Sequence, residues 1–197
     1  MGEKPHRRET ATLKYIHILV EGQTEFTFVE DVLRKYFEVK DIWINCSIVT
    51  TRVVTGGKNY RGGFIKYDKF KKQVQNLLSS HYDIVTMMLD IYALPNDFPQ
   101  PEVSKFPDSE SRAIAFENAL QADLNHSKFL PYYSLHEFEA LLFSSPEIIA
   151  RELSLDVQAI QRILQAHQHN PEKINLEEPP SKHLLKLFAQ YEKVVYG

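Results

Sequence analysis

Two short apolar runs constrain this chain more than any other feature. YIHILV (Tyr15–Val20) and DIVTMMLDIY (Asp83–Tyr92) are dense in apolar and β-branched residues and lack the alternating polar face of a half-exposed strand. Runs of this kind suit strands covered on both sides, as in a parallel sheet. After the first come EGQ and then Thr24, which can cap a helix. In that helix Phe26, Val29, Leu33, Tyr36 and Phe37 share one face, and Glu30, Asp31, Arg34 and Lys35 take the other. Gly22 is placed to let the backbone turn sharply at the strand end.

The same alternation continues. INCSIVTTRVV is a second strand-like run, ending at the loop TGGKNYRGG, which holds four of the seven glycines. A basic amphipathic helix follows, with Tyr67, Phe70, Val74, Leu77 and Leu78 on its buried side. After DIVTMMLDIY a proline-rich loop runs from Leu94 to Pro107, long enough to suggest a functional role, and Asp108 or Ser109 caps the next helix. FLPYYSL is a fourth strand. From HEFEALLF the chain reads as helical to its end, interrupted by HNPEKINLEEPPSK, with Ser181 capping the last helix. This pattern predicts an α/β fold, a mainly parallel sheet of about four strands flanked by helices, with a helical C-terminal part. The expected organisation is a flexible segment over 1–14, a core over 15–145, and a helical extension of the same domain over 146–197. The 197 residues, 43% hydrophobic and 25% charged, suit one domain with a substantial core.

A formal charge of -3 gives no general attraction to nucleic acid or anionic membrane, so phosphate binding would need a local cluster. The one cysteine, Cys46, rules out a disulfide framework or Cys-based zinc site and reads as a small buried hydrophobe. With no apolar run of membrane-spanning length and no apolar stretch behind the polar N-terminus, a cytoplasmic location is expected. The single Trp43 and most other aromatics sit at core spacing rather than as a base-stacking surface.

Ligands of open parallel sheets bind beyond the carboxyl ends of the strands. Glu21 falls at that end of the first strand, Asp90 of the third, and His136, Glu137 and Glu139 just past the fourth. Gathered carboxylates repel unless a proton or cation offsets their charge. Magnesium is the natural cation, with manganese as its substitute, because it takes one or two carboxylates together with waters and substrate phosphate. Alternatively, Glu21 could act as general acid or base. Glu137 and Glu139 point to different sides of a helix, and Glu137 is the favoured ligand. Glu25 is either part of the site or a first-turn acid favoured by the helix dipole. Asp97 is either a further ligand or a turn residue of PNDFP.

Between Arg52 and Lys72 lie Arg52, Lys58, Arg61, Lys66, Lys69, Lys71 and Lys72, opposed by Asp68 alone. They form either a phosphate-binding surface, with Lys58 and Arg61 at its centre, or a solvated helix face. Lys182 has the same two readings. TGGKNYRGG is not a Walker loop, since Asn59 follows Gly57-Lys58, and HExxH fails because Ala140 stands four residues after His136. His167 and His169 read as capping or exposed residues.

ILVEGQTE, the loop ending RGG, MLDIYALPNDFP, HEFEALLF, and NPEKIN followed by PPSKHLLKLF together resemble the Toprim-like proteins, the topoisomerase and primase catalytic fold shared with the overcoming-lysogenization-defect nucleases. Within that group the chain most resembles a bacterial family described as domain of unknown function 4276. The motifs span about residues 16 to 188, nearly the whole chain. The resemblance implies acid/base or metal work for Glu21, a catalytic second glutamate at Glu25, and metal binding at Asp90. Toprim enzymes usually carry Asp-x-Asp here, whereas this chain reads Asp90-Ile91-Tyr92, so Asp97 or a carboxylate of HEFE would have to supply the missing acid. Relatives continue past YEKVVYG in a helical tail, which implies a C-terminal cap that is shortened or supplied by a partner. The implied activity is a metal-dependent nucleic-acid phosphodiesterase, in a context that includes antiphage defence, a partner ATPase and a homodimer. A non-catalytic regulatory or scaffolding subunit and a small-nucleotide phosphohydrolase are the alternatives.

Overall fold

The computed structural model describes residues 13–52, 60–61, 66–91, 94–102, 108–135, 138–176 and 178–192. The first half runs β1 (Lys14–Val20), α1 (Gln23–Phe28), a π-helical turn (Val29–Leu33), α2 (Arg34–Glu38), β2 (Ile42–Ile48), β3 (Thr50–Arg52), β4 (Tyr60–Arg61), α3 (Tyr67–Leu78) and β5 (Ile84–Asp90). Then come α4 (Ser109–Leu124), β6 (Phe129–Leu130), β7 (Tyr133–Ser134), a 3-10 helix (Phe138–Ser144), α5 (Pro146–Leu153), α6 (Val157–Ala166), a second 3-10 helix (Pro171–Leu176) and α7 (Pro180–Leu187). The main sheet has the order β2-β1-β5-β6, with β7 also pairing β5, and every pairing in it is parallel. β3 and β4 form a separate antiparallel pair. The fold is α/β, in a Rossmann-like arrangement.

Burial on both faces explains the apolar runs. Leu19, Val85, Met87 and Leu89 point to one side, where Tyr67, Phe70, Val74 and Leu78 of α3 and Phe116 and Leu120 of α4 close over them. Ile18, Val20, Ile44, Ile48 and Met88 point to the other, against Val29 with Phe26, Phe28, Leu33 and Phe37. Successive residues of one strand thus serve opposite cores. A third cluster joins Phe143, Ile149, Leu153, Ile160, Leu164, Ile174, Leu184 and Tyr191 of the C-terminal helices.

Several local expectations are corrected. The helix after β1 is not uniformly α: the wider π turn rotates the residues of α2 about the helix axis. Phe37 packs inward while Tyr36 is exposed, its hydroxyl accepting from Lys40 Nζ at 2.7 Å. Thr24 does not cap. The N-cap is Gly22, and Thr24 is buried in the first turn. The second strand run divides at Val49 into β2 and β3. FLPYYSL divides into β6 and β7 around Pro131, which has no amide hydrogen for a ladder. FEALLFS is 3-10 rather than α. Asp108 caps α4, accepting from the Ser111 amide at 2.7 Å. Ser181 lies inside α7, whose N-cap is Pro179 and whose first turn opens with Pro180, where the missing amide hydrogen costs nothing. Trp43 is 46% exposed rather than core.

Two polar contacts fasten helices to this frame. Tyr67 donates its hydroxyl proton to Asp123, which also pairs with Lys71 at 2.7 Å, tying α3 to α4. Arg34 pairs with Glu30 and donates from Nε to the Ile44 carbonyl of β2 at 3.0 Å. Among the described residues no helix is long and apolar enough to cross a membrane.

Candidate functional site

Parallel register brings residues far apart in sequence to one edge. Val20 pairs with Met88, and Asp90 pairs with Ser134. Glu21, the residue after β1, therefore stands beside the end of β5, and Ser134 stands on the far side of Asp90. Three polar residues occupy the carboxyl ends of three neighbouring strands. Glu21 and Asp90 are in direct contact: Glu21 Oε2 accepts from the Asp90 amide at 3.3 Å. Both are half-buried.

The turn between Glu21 and α1 is held from inside the helix. Glu25 Oε2 accepts from the Gly22 amide at 3.0 Å, the reciprocal half of a capping box. Gly22 has φ -140, which any residue adopts, so the expectation of a sharp glycine turn is corrected. What the position demands is space: a Cβ there would lie 3.1 Å from Glu25 Oε2.

Asp97 stands elsewhere in the circuit of interactions. Its Oδ2 accepts from the Tyr67 amide at 3.0 Å, satisfying one of the donors at the start of α3. Glu139 is fully buried, its residue 0% exposed, where the sequence favoured Glu137 as the inward acid. Glu137, His136 and Lys58 lie outside the described residues. Arg61 is in β4, its backbone opposite Thr50. Lys66, Lys69 and Lys72 are exposed near the start of α3, while the charge of Lys71 is offset by Asp123. Lys182 is exposed on α7, in the C-terminal helical part, in a charged group with Glu178 and Lys186. His167 is the C-cap of α6, with Nδ1 2.7 Å from the Ile163 carbonyl, as expected for a capping histidine.

Ser134 was missed by sequence reasoning because its place depends on the β5–β7 register. Glu117 was missed as well. Its Oε1 accepts from the Tyr133 amide at 3.0 Å and so anchors the strand that carries Ser134. Burial disfavours the charged form of two other groups. Burial, followed by the Glu30 carboxylate, pushes the Cys46 thiol up to about 12. Burial also raises the Tyr133 phenol well above its usual range.

The donor chemistry of the edge fits magnesium or manganese. Two carboxylates on adjacent strand ends are hard oxygen donors of the kind that hold such an ion with waters and substrate phosphate. Among the described residues no group of three or more His, Cys, Asp or Glu side chains is placed to hold a metal ion.

A model of the family described as Domain of unknown function (DUF4276) matches residues 20–197. The chain belongs to this family. The match begins at the last residue of β1, so Glu21, Gly22, Glu25, Asp90 and Ser134 all fall inside the family's domain. Searches of the curated proteins and of the solved structures returned no match.

Proposed function

We propose that this family member is a Toprim-like, magnesium-dependent phosphodiesterase acting on nucleic acid. The observation that carries the proposal is the contact between Glu21 and the Asp90 backbone at the carboxyl edge of the sheet. Glu21 and Asp90 would hold the ion, which supplies charge neutralisation for an in-line displacement at phosphorus when bound. The protein's own part is to aim Glu21 toward the end of β5: the Asp90 amide donates to its carboxylate at 3.3 Å. Arg61 and Lys58, with the exposed lysines at the start of α3, would take the backbone phosphates of a polymer. The resemblance to the overcoming-lysogenization-defect nucleases extends the proposal to a partner ATPase in antiphage defence.

A second reading, a regulatory subunit that keeps the fold without turnover, is favoured by Tyr92 standing where Toprim enzymes carry a second aspartate. The decisive experiment incubates the purified chain with supercoiled plasmid, linear DNA or single-stranded RNA, in magnesium, manganese or EDTA, beside Glu21→Gln and Asp90→Asn. Metal-dependent cleavage lost in both variants is expected. Inactivity throughout, with no magnesium binding in the millimolar range, would discard the enzyme in favour of the subunit.

A further inference from the structure

We propose that Glu25 is a positioning residue for Glu21, acting as a hydrogen-bond acceptor for the Gly22 amide and not through its charge. The inference deepens the proposed function and rests on Glu21 and Asp90 forming the working pair.

Peptide planarity makes Glu21 answerable to its neighbour. The Gly22 nitrogen belongs to the same rigid plane as the Glu21 carbonyl and Cα. A bond that fixes the direction of the Gly22 N–H therefore fixes the rotation of the Glu21–Gly22 peptide, and so restrains the backbone that carries the Glu21 side chain. Glu25 Oε2 makes that bond at 3.0 Å. The partner of Glu25 is thus the backbone one residue beyond Glu21, reached from the first turn of α1.

Gly22 carries the same requirement. Its φ of -140 needs no glycine, but a Cβ would sit 3.1 Å from the acceptor oxygen, which would have to give by a few tenths of an ångström. The glycine keeps the approach clear, and the glutamate uses it. At the other end of the lever, Glu21 Oε2 meets the Asp90 amide at a longer 3.3 Å, a contact that a small rotation of the peptide would break. A chain of two backbone amides and two carboxylates thus links α1 to β5. Only an acceptor oxygen is needed at Glu25, and a glutamine supplies one. A metal ligand at this position would instead require the charge.

The test follows the Gly22 and Asp90 amides by NMR in the full chain. In Glu25→Ala, Gly22 amide exchange should speed up by about tenfold, and the Asp90 amide resonance should move as Glu21 loses its aim. In Glu25→Gln the Gly22 amide should keep its slow exchange and the Asp90 amide should stay near its wild-type position. Gly22→Ala keeps the carboxylate but crowds it, and should move Asp90 as well, which guards against a Glu25→Ala variant that folds poorly. A Gly22 change without any Asp90 change would reduce Glu25 to a local helix cap and overturn the proposal. Glutamine behaving like alanine would overturn it too, because charge would then be the property in use. Titrating manganese into the same samples separates this idea from the metal site: amides as expected, with no manganese broadening at Glu21 or Asp90, would sink the metal reading and leave the positioning role standing.

Discussion

Asp97→Ala distinguishes a structural carboxylate from a catalytic one. Asp97 Oδ2 accepts from the Tyr67 amide at 3.0 Å at the start of α3, and Tyr67 is a buried residue of the larger core. Asp97 is itself exposed, so water replaces part of the lost acceptor and the cost is about 1 kcal/mol, the typical value for a lost helix cap. For a chain of this size that lowers the midpoint of thermal unfolding by about 2–4 °C. Asp97→Asn keeps an acceptor and should lose no more than a few tenths of a kcal/mol. Thermal unfolding by circular dichroism, with manganese binding measured on the same three proteins, is the assay. Unchanged unfolding in Asp97→Ala together with weakened manganese binding would refute the cap and return Asp97 to the metal site.

Buried groups elsewhere give three more tests. His17 is 6% exposed, with Nε2 2.8 Å from Ser47 Oγ, and burial followed by the charge of His81 lowers it to about 4. Its folded value lies below the unfolded 6.5, so its contribution is complete above pH 6.5 and is lost as pH falls toward 4. The loss amounts to at most about 3 kcal/mol, and His17→Gln should flatten urea-unfolding stability across that window. Leu184→Ala empties a fully buried position in the C-terminal cluster and should cost about 2–5 kcal/mol in the same assay. Cys46, with its thiol pushed up to about 12, should react with a disulfide reagent at pH 8 far more slowly in the folded chain than in urea. Cys46 is only partly buried, and equal rates in the two states would contradict the protection that this gives.

The main strands and the carboxyl-edge location of Glu21 and Asp90 were legible because they rest on local signals: unbroken apolar runs and acids directly after them. The bond from the Asp90 amide to Glu21 was not legible, because it depends on the β1–β5 register. Nor were Ser134 and Glu117, because the β5–β7 register and the Glu117–Tyr133 contact are fixed by tertiary packing. The π turn escaped for a related reason. Phe26, Val29, Leu33, Tyr36 and Phe37 fit an α-helical face on paper, and only the packing against β2 selects Phe37 over Tyr36. Gly22 invited a torsional explanation when its neighbour's oxygen supplied a steric one.

The bond from Arg34 to the Ile44 carbonyl bears on how the protein avoids aggregation. β2 ends the sheet order, and its sequence IWINCSI contains no proline and no charge, the usual deterrents of an open edge. Such a segment can template another extended chain. Here the deterrent is borrowed from a helix: a guanidinium, held by Glu30, occupies a backbone acceptor midway along the strand. Coverage of this edge acceptor is thereby tied to the packing of α2 on β2. Unfolding of that helix would remove the deterrent and expose the strand together, making local opening at this edge a route to self-association.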